Sequence, residues 1–362
     1  MKYFNRYDMK YFPLSERHNK VRIENSCVYP EDNPGKLDSK VKIRIEKIAE
    51  EIKKTRSAEK PVMLVFGAHT IKNGLGLLIS ILAEQGWITH LATNGAGVIH
   101  DWEFSFQGKT SEDVRANVQE GKFGTWEETG LYINLSIIDG AYRGLGYGES
   151  VGSLILNDGI LIPEISELEN VIRSDIKKNE LWKVSAAADY LELINSENLK
   201  SGWLKINHPY KKFSIQQRAL ASGIPFTSHP MFGHDIIYTH RASRGAAIGR
   251  CAERDFLSYV KSVENLEGGV YLSIGSAVMS PMIFEKSLSM ARNAGNVIKN
   301  CGIHVVDLQK ETWDWSKGEP PADNPAYYLR FMKTFSRMGC NADYTSADNR
   351  DFLLYLSKLL LN

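Results

Sequence analysis

The chain has 362 residues, 43% of them apolar and 24% charged. That balance excludes a disordered or collagen-like polymer and supplies a core that needs no disulfide staples. Its 44 Lys and Arg nearly cancel 43 Asp and Glu, leaving a net charge of +1, so neither a nucleic-acid nor a membrane partner is expected.

Residues 1–40 are polar, with Pro30-Glu31-Asp32-Asn33-Pro34-Gly35 among them, and read as an N-terminal arm. Residues 41–362 show no flexible linker, repeat or low-complexity tract and read as one large domain. The first helix is expected over Lys40 to Thr55, where Val41, Ile43, Ile45, Ile48 and Ile52 recur at mostly helical spacing. Val62-Met63-Leu64-Val65-Phe66, between Pro61 and Gly67, is a short continuous apolar run and reads as a buried parallel strand. A helix from about Ile71 to Gln85 ends at Gly86, and Ile88 to Thr93 follows as a second strand. Strand, helix and strand form a βαβ unit with a right-handed crossover.

Helices are expected near 111–120, 126–140 and 147–157, and 161–200 reads as helical and charged. Strand character returns at Gly223-Ile224-Pro225-Phe226-Thr227-Ser228. A helix over 241–262 leads to the strand Gly269 to Gly275, then a helix from about Pro281 to Ala294, the strand Ile303 to Asp307, and an amphipathic helix over Asp348 to Leu361. This alternation predicts an α/β fold: a mostly parallel, doubly wound sheet with helices on both faces. The charged opening residues lack the apolar core of a signal peptide, so a cytoplasmic location is expected. The four cysteines, Cys27, Cys251, Cys301 and Cys340, have no C-x-x-C spacing and read as free thiols of a reducing compartment.

In such sheets ligands bind beyond the carboxyl ends of the strands. Three segments there are rich in small residues: Phe66-Gly67-Ala68-His69-Thr70, Thr93-Asn94-Gly95-Ala96-Gly97, and Ser273-Ile274-Gly275-Ser276-Ala277. Such turns suit a nucleotide or dinucleotide, whose phosphates sit on backbone amides at a helix start; each also has a purely structural reading, since tight turns need glycine. The G-x-G-x-x-G fingerprint is absent.

The run Val62 to Gly97, then His100-Asp101-Trp102-Glu103-Phe104-Ser105-Phe106-Gln107-Gly108-Lys109, resembles the deoxyhypusine synthase family. That family has a Thr-Thr-Ala-Gly-Gly-Val-type loop after its second strand and a Gly-Glu-Phe-Ser-Leu-Arg-Gly-Lys segment beyond it. Here these read Thr93-Asn94-Gly95-Ala96-Gly97-Val98 and Trp102 to Lys109. The likeness resumes at Gly223 to Ser228, at Asp235-Ile236-Ile237-Tyr238, and from Gly268 to Asn293. It implies a deoxyhypusine synthase-like NAD-binding fold, NAD as cofactor, a small-molecule amine substrate, and a homo-oligomer, dimer or tetramer. By this resemblance Thr93, Gly95, Ala96 and Gly97 hold the cofactor and Asp235 lies near the amine and cofactor; the small-residue turns themselves add Gly67, Asn94, Gly275 and Ser276 to the expected cofactor residues, and His234 beside Asp235 reads as its acid/base partner, relaying a proton.

The departure is as informative. The family's nucleophilic lysine lies on a strand just before the last helix, and Tyr344 stands there in this chain; no lysine occurs from Phe335 through Ser357. A phenol cannot form the imine that carries an aminobutyl group, so deoxyhypusine synthesis itself is not expected. The leading expectation is hydride transfer between NAD and a small amine or amino-acid-like substrate. The alternative is a non-catalytic nucleotide-binding or regulatory subunit, and a third is a hydrolase or deacylase that consumes a nucleotide.

Other constellations have plainer readings. His229, His234 and His240 lie within twelve residues, with Asp235 the only nearby carboxylate, so no metal site is expected. His69, His100 and Lys72 follow the first strands and serve either a site or packing. Arg241, Arg244, Arg250 and Arg254 suit an anionic ligand or, more simply, a face paired with Glu253 and Asp255.

Overall fold

The computed structural model describes residues 1–175 and 180–361. Residues 176–179, inside the 161–200 stretch read as helical, lie outside the described residues. The chain divides into two compact units. One comprises residues 1–25, 98–218 and 230–255; the other comprises 26–97, 219–229 and 256–362. The expected arm 1–40 is thus shared between the units, and the expected single domain 41–362 resolves into both. Four of the chain's five crossings between units fall inside helices, Ile23–Ser26, Gly95–Gln107, Ile215–Ala221 and Gly245–Glu264. Helical sequence carries no Pro/Gly/Ser linker signature, which is why composition does not mark the division.

The second unit is built on six parallel strands: β1 (Val62–Phe66), β2 (His90–Thr93), β3 (Phe226–Ser228), β4 (Val270–Ile274), β5 (Gly302–Asp307) and β6 (Asn341–Ser346). Their order across the sheet is β3-β2-β1-β4-β5-β6, and every pairing is parallel. β1 and β4, at the centre, are buried along their whole length, as a strand covered on both sides must be. Alternation of side chains sends Met63, Val65, Tyr271, Ile303, Val305 and Tyr344 into one core with Phe284, Leu288, Phe331 and Phe335 of the helices Met279–Asn293 and Arg330–Ser336. The helix Ser39–Ser57 packs on β1, β4 and β6, and also against the last helix, Asn349–Leu361. Asp38 caps Ser39–Ser57 by accepting from the Lys40 amide at 2.8 Å.

Five of the six parallel strands and most helices fall where periodicity places them; β6 has no such pattern, and the helix expected near 111–120 is shortened to Val114–Gln119 by the strand Lys109–Glu112. The helix expected over Ile71 to Gln85 is instead two, Ala68–Lys72 and Gly76–Glu84. The Asn94–Gly97 segment, read as a turn, is the start of the helix Gly95–Gln107.

The first unit carries the helices Glu127–Arg143, Tyr147–Asn157, Ile165–Asp175 and Leu181–Glu197 and two short antiparallel ladders. One pairs Asn19–Arg22 with Lys109–Glu112, the other Gly159–Ile162 with Gly202–Lys205. Sequence patterning misses both, because each strand has four residues and its partner is distant. Among the described residues no helix is long and apolar enough to cross a membrane.

Candidate functional site

The sheet reverses direction of growth between β1 and β4: β2 and β3 follow on one side, β5 and β6 on the other. Numbered along the chain this is the order 3-2-1-4-5-6 of doubly wound dinucleotide-binding sheets, whose crevice lies beyond the strand ends at that point. Gly67 directly follows β1 and Gly275 directly follows β4. The Gly67 amide donates to the Ile274 carbonyl at 3.1 Å, and a Cβ on Gly67 would collide with the Gly275 carbonyl oxygen. Gly275 is exposed, with φ +58, so its bare backbone faces solvent in a conformation that favours glycine. Ser276 is buried, and its Oγ accepts from the Ser280 amide at 3.2 Å, capping the next helix.

Two residues that the sequence does not single out complete this crossing. Thr70 Oγ1 accepts from Asn349 Nδ2 at 3.2 Å, and Asn349 Oδ1 accepts from Asn73 Nδ2 at 3.1 Å. A Cβ on Gly275 would lie in ordinary van der Waals contact with Asn349 and Thr70. Asn349 opens the last helix, which is the only local hint of its place.

The second small-residue segment lies at the end of β2, on the same edge. Thr93 Oγ1 donates to the Phe66 carbonyl at 2.9 Å, and the Thr93 carbonyl accepts from the His229 amide at 2.8 Å. Those bonds tie the ends of β1, β2 and β3 together. Asn94 Oδ1 accepts from the Gly97 amide at 3.0 Å, an N-cap for Gly95–Gln107. A Cβ on Gly97 would strike the Thr93 side chain, so Gly97 lets the helix approach the strand end closely. Thr93, Asn94 and Gly97 therefore hold the turn itself. Gly95 and Ala96 are first-turn residues whose amides no intrahelical carbonyl reaches; they are the members of this segment whose amides remain for an anion. No carboxylate stands at the end of β2, where such sheets commonly bind a ribose; Asn94 is there instead.

Asp235 and His234 belong to the other unit. Asp235 is buried and His234 beside it is exposed. The Tyr238 hydroxyl lies 3.4 Å from Asp235 Oδ2, and the Tyr238 ring stacks on Phe232 with centroids 4.9 Å apart. Tyr147 is fully buried and its hydroxyl has no hydrogen-bond partner. Burial first, then the charge of Asp235, pushes the Tyr147 phenol well above its usual range, so it stays neutral. Neither tyrosine carries a sequence signal, because each gains meaning only through its neighbour.

The other histidines singled out in the sequence lie apart from Asp235 in their contacts. His229 and His90 are buried and joined through Thr227 Oγ1, at 3.1 and 3.0 Å; burial pushes both down to about 3. His240 packs on Tyr11 and lies 3.4 Å from Glu127. His100 Nδ1 lies 2.7 Å from Thr110 Oγ1, and His69 is exposed on its short helix. Among the described residues no group of three or more His, Cys, Asp or Glu side chains is placed to hold a metal ion.

The arginines pair, with partners other than Glu253 and Asp255. Arg241 grips Glu127 at 2.6 Å and Glu197 at 3.0 Å, Arg244 meets Glu192 at 3.4 Å, and Arg250 meets Asp189 at 2.5 Å. Asp255 accepts from the Gly148 amide at 2.9 Å at the start of Tyr147–Asn157. Glu103 is buried and receives Arg17 at 2.7 Å, with hydroxyls from Thr110 and Thr129. Tyr344 is buried on β6, and its hydroxyl donates to the Gln309 carbonyl at 2.5 Å. Burial, then the charges of Asp307 and Glu311, raise that phenol's pKa.

No family model matches the chain, and no curated protein matches it. Among solved structures it is similar to AgrE in a ternary complex with ornithine and NAD+, at 16% identity and a TM-score of 0.43, covering 90% of this chain and 34% of that one. It is also similar to ArgZ, an arginine dihydrolase from the ornithine-ammonia cycle in cyanobacteria, at 13% identity and a TM-score of 0.42, covering 88% and 32%. A conserved LOR/SDH-type protein of Methanococcus maripaludis S2 aligns at 13% identity and a TM-score of 0.43, covering 92% and 74%. The chain spans about a third of the length of the AgrE and ArgZ chains. At these scores the likenesses carry no functional argument.

Proposed function

We propose that the carboxyl edge of the parallel sheet binds NAD, and that the protein is an enzyme moving a hydride between that cofactor and a small amine or amino-acid-like substrate. The observation that carries the reading is the switch point of the 3-2-1-4-5-6 sheet, where the Gly67 and Gly275 backbones converge and Gly275 is left bare. The residues there suit a dinucleotide: exposed backbone at Gly275, neutral hydrogen-bonding side chains on Thr70 and Asn349, and the amides of Gly95 and Ala96 at the start of a thirteen-residue helix. Gly67, Thr93, Asn94, Gly97 and Ser276 shape that edge through bonds within the protein. When bound, the nicotinamide supplies the hydride chemistry; the chain supplies position and charge.

Asp235, buried in the first unit with the Tyr238 hydroxyl beside it, holds a cationic amine. Exposed His234 stands next to it and relays a proton. A deoxyhypusine synthase-type lysine imine is no part of this reading, since Tyr344 on β6 is buried and engaged with Gln309. That same observation favours a second reading, a nucleotide-binding subunit without turnover. A homo-oligomer belongs to either reading and is measurable by light scattering.

Calorimetry of the purified chain with NAD+ and with NADH tests the cofactor, and NADH fluorescence with a panel of polyamines and basic amino acids tests turnover. Asp235→Asn is expected to remove amine-dependent turnover while leaving NAD affinity unchanged. Heat from neither redox form overturns the proposal; binding without turnover on any amine selects the non-catalytic reading.

A further inference from the structure

Two of the four cysteines scattered through the sequence acquire a relationship only through strand register. β5 and β6 pair Gly302 with Asn341, and the Asn341 amide donates to the Cys301 carbonyl at 3.1 Å. Cys301 and Cys340, the residues just before that pair, therefore lie side by side at the amino ends of two neighbouring strands. A strand spacing of about 4.8 Å puts such Cα atoms inside the separation of about 4.4–6.8 Å that a disulfide spans. Cys301 is buried in the core cluster and Cys340 packs half-buried against it. Both thiols are free.

The surroundings of the two sulfurs differ. Arg292 Nη2 approaches Cys340 Sγ at 4.0 Å. The neighbouring Cys301 thiol, opposed by burial and reinforced by the Arg292 charge, holds the Cys340 thiol below its usual range, while Cys301 is pushed up. Arg292 also lines a cavity of about 370 Å³ together with Glu285, Ser289, Thr334, Arg337 and Met338, which gives a small molecule room beside it. The other two cysteines provide internal comparison. Cys251 is buried, its thiol donates to the Ile137 carbonyl at 3.3 Å, and burial pushes it up to about 12. Cys27 is half-buried, as Cys340 is.

We propose that Cys340 and Cys301 form a reversible dithiol–disulfide pair, oxidised by a low-molecular-weight disulfide, with Cys340 as the attacking sulfur and Cys301 as the resolving one. The Cys340 thiolate attacks one sulfur of R–S–S–R, forming a mixed disulfide and expelling one thiolate. Cys301 then loses its proton and attacks the Cys340 sulfur, expelling the second thiolate. The protein gives up two electrons and its two thiol protons, and two molecules of RSH carry them away. The pair sits at the amino ends of the strands. The six residues of β5 separate it from the carboxyl edge by roughly 20 Å, so the proposal stands apart from the NAD reading.

The test is exposure of the reduced, full-length protein to glutathione disulfide at pH 7, an alkylating quench, and mass spectrometry of the intact chain and its peptides. A Cys301–Cys340 linked peptide is expected, with Cys27 and Cys251 alkylated. Cys301→Ser is expected to stop at a single glutathione adduct on Cys340. In the unmutated protein, which needs no variant to fold, Cys340 is expected to alkylate at least about tenfold faster than Cys27. An adduct that forms first on Cys27, or a wild-type chain that stops at a mixed disulfide with no linked peptide, overturns the proposal.

Discussion

The buried histidine pair beneath β2 and β3 makes the parallel-sheet unit sensitive to acid. His90 donates or accepts at Ser262 Oγ (2.8 Å) and Thr227 Oγ1 (3.0 Å), and His229 meets Thr227 Oγ1 at 3.1 Å; both rings also pack edge-on against Tyr259. Burial, with each ring's neighbourhood fully enclosed, lowers both to about 3, and the His90 charge adds to the effect at His229. An unfolded histidine titrates near 6.5. Above that pH both states are neutral and the pair costs nothing. Below it the unfolded chain binds two protons that the folded chain refuses, so stability is lost progressively as pH falls from about 6.5 towards about 3. Between pH 7.5 and 5 each ring contributes a loss of about 2 kcal/mol, about 4 kcal/mol for the pair. The figure depends chiefly on the unfolded value, because any folded value well below 5 yields the same result. That is a large share of a typical net stability of about 5–15 kcal/mol. Urea unfolding at the two pH values, followed by circular dichroism, measures it. The His90→Gln/His229→Gln double variant is expected to lose about 4 kcal/mol less than the unmutated chain over that interval. Equal losses in the two proteins, or His90 and His229 resonances of the folded chain that titrate above pH 5, refute the reasoning.

Gly67→Ala places a Cβ against the Gly275 carbonyl and is expected to cost about 1–3 kcal/mol by overpacking; Gly249→Ala, on an exposed helical site with nothing within 4 Å, is expected to gain about 0.5–1 kcal/mol. Thermal melts of the two distinguish a crowded glycine from a merely flexible one, and equal shifts would remove the close approach at the switch point. Arg17→Met strands Glu103, whose carboxyl burial would raise but Arg17 holds low. It is expected to cost about 3–5 kcal/mol in urea, as when one partner of a buried pair is removed; a loss below about 1 kcal/mol would mean the pair is solvated.

Much of the fold is legible in local patterns. Val62 to Phe66 is unbroken apolar sequence because β1 is covered on both faces, and Val270 to Ile274 repeats the pattern for the same reason. Isoleucines at helical spacing mark Ser39–Ser57, and Gly67 and Gly275 stand out as small residues just past strand ends. What those glycines are for is not legible. Gly97 reads as bare backbone for a cofactor, yet the space its missing side chain leaves belongs to Thr93 of the same chain.

Composition, periodicity and strand-ending glycines by themselves determined an α/β chain with a parallel sheet and a candidate carboxyl edge, since burial and turn geometry act within a few residues. Only the tertiary structure decided the 3-2-1-4-5-6 order, the division into two units, the burial of Asp235 beside Tyr238, and the meeting of Cys301 with Cys340. Each of these joins residues far apart along the chain, and the distance between them is set by strand pairing and core packing, which no local pattern records.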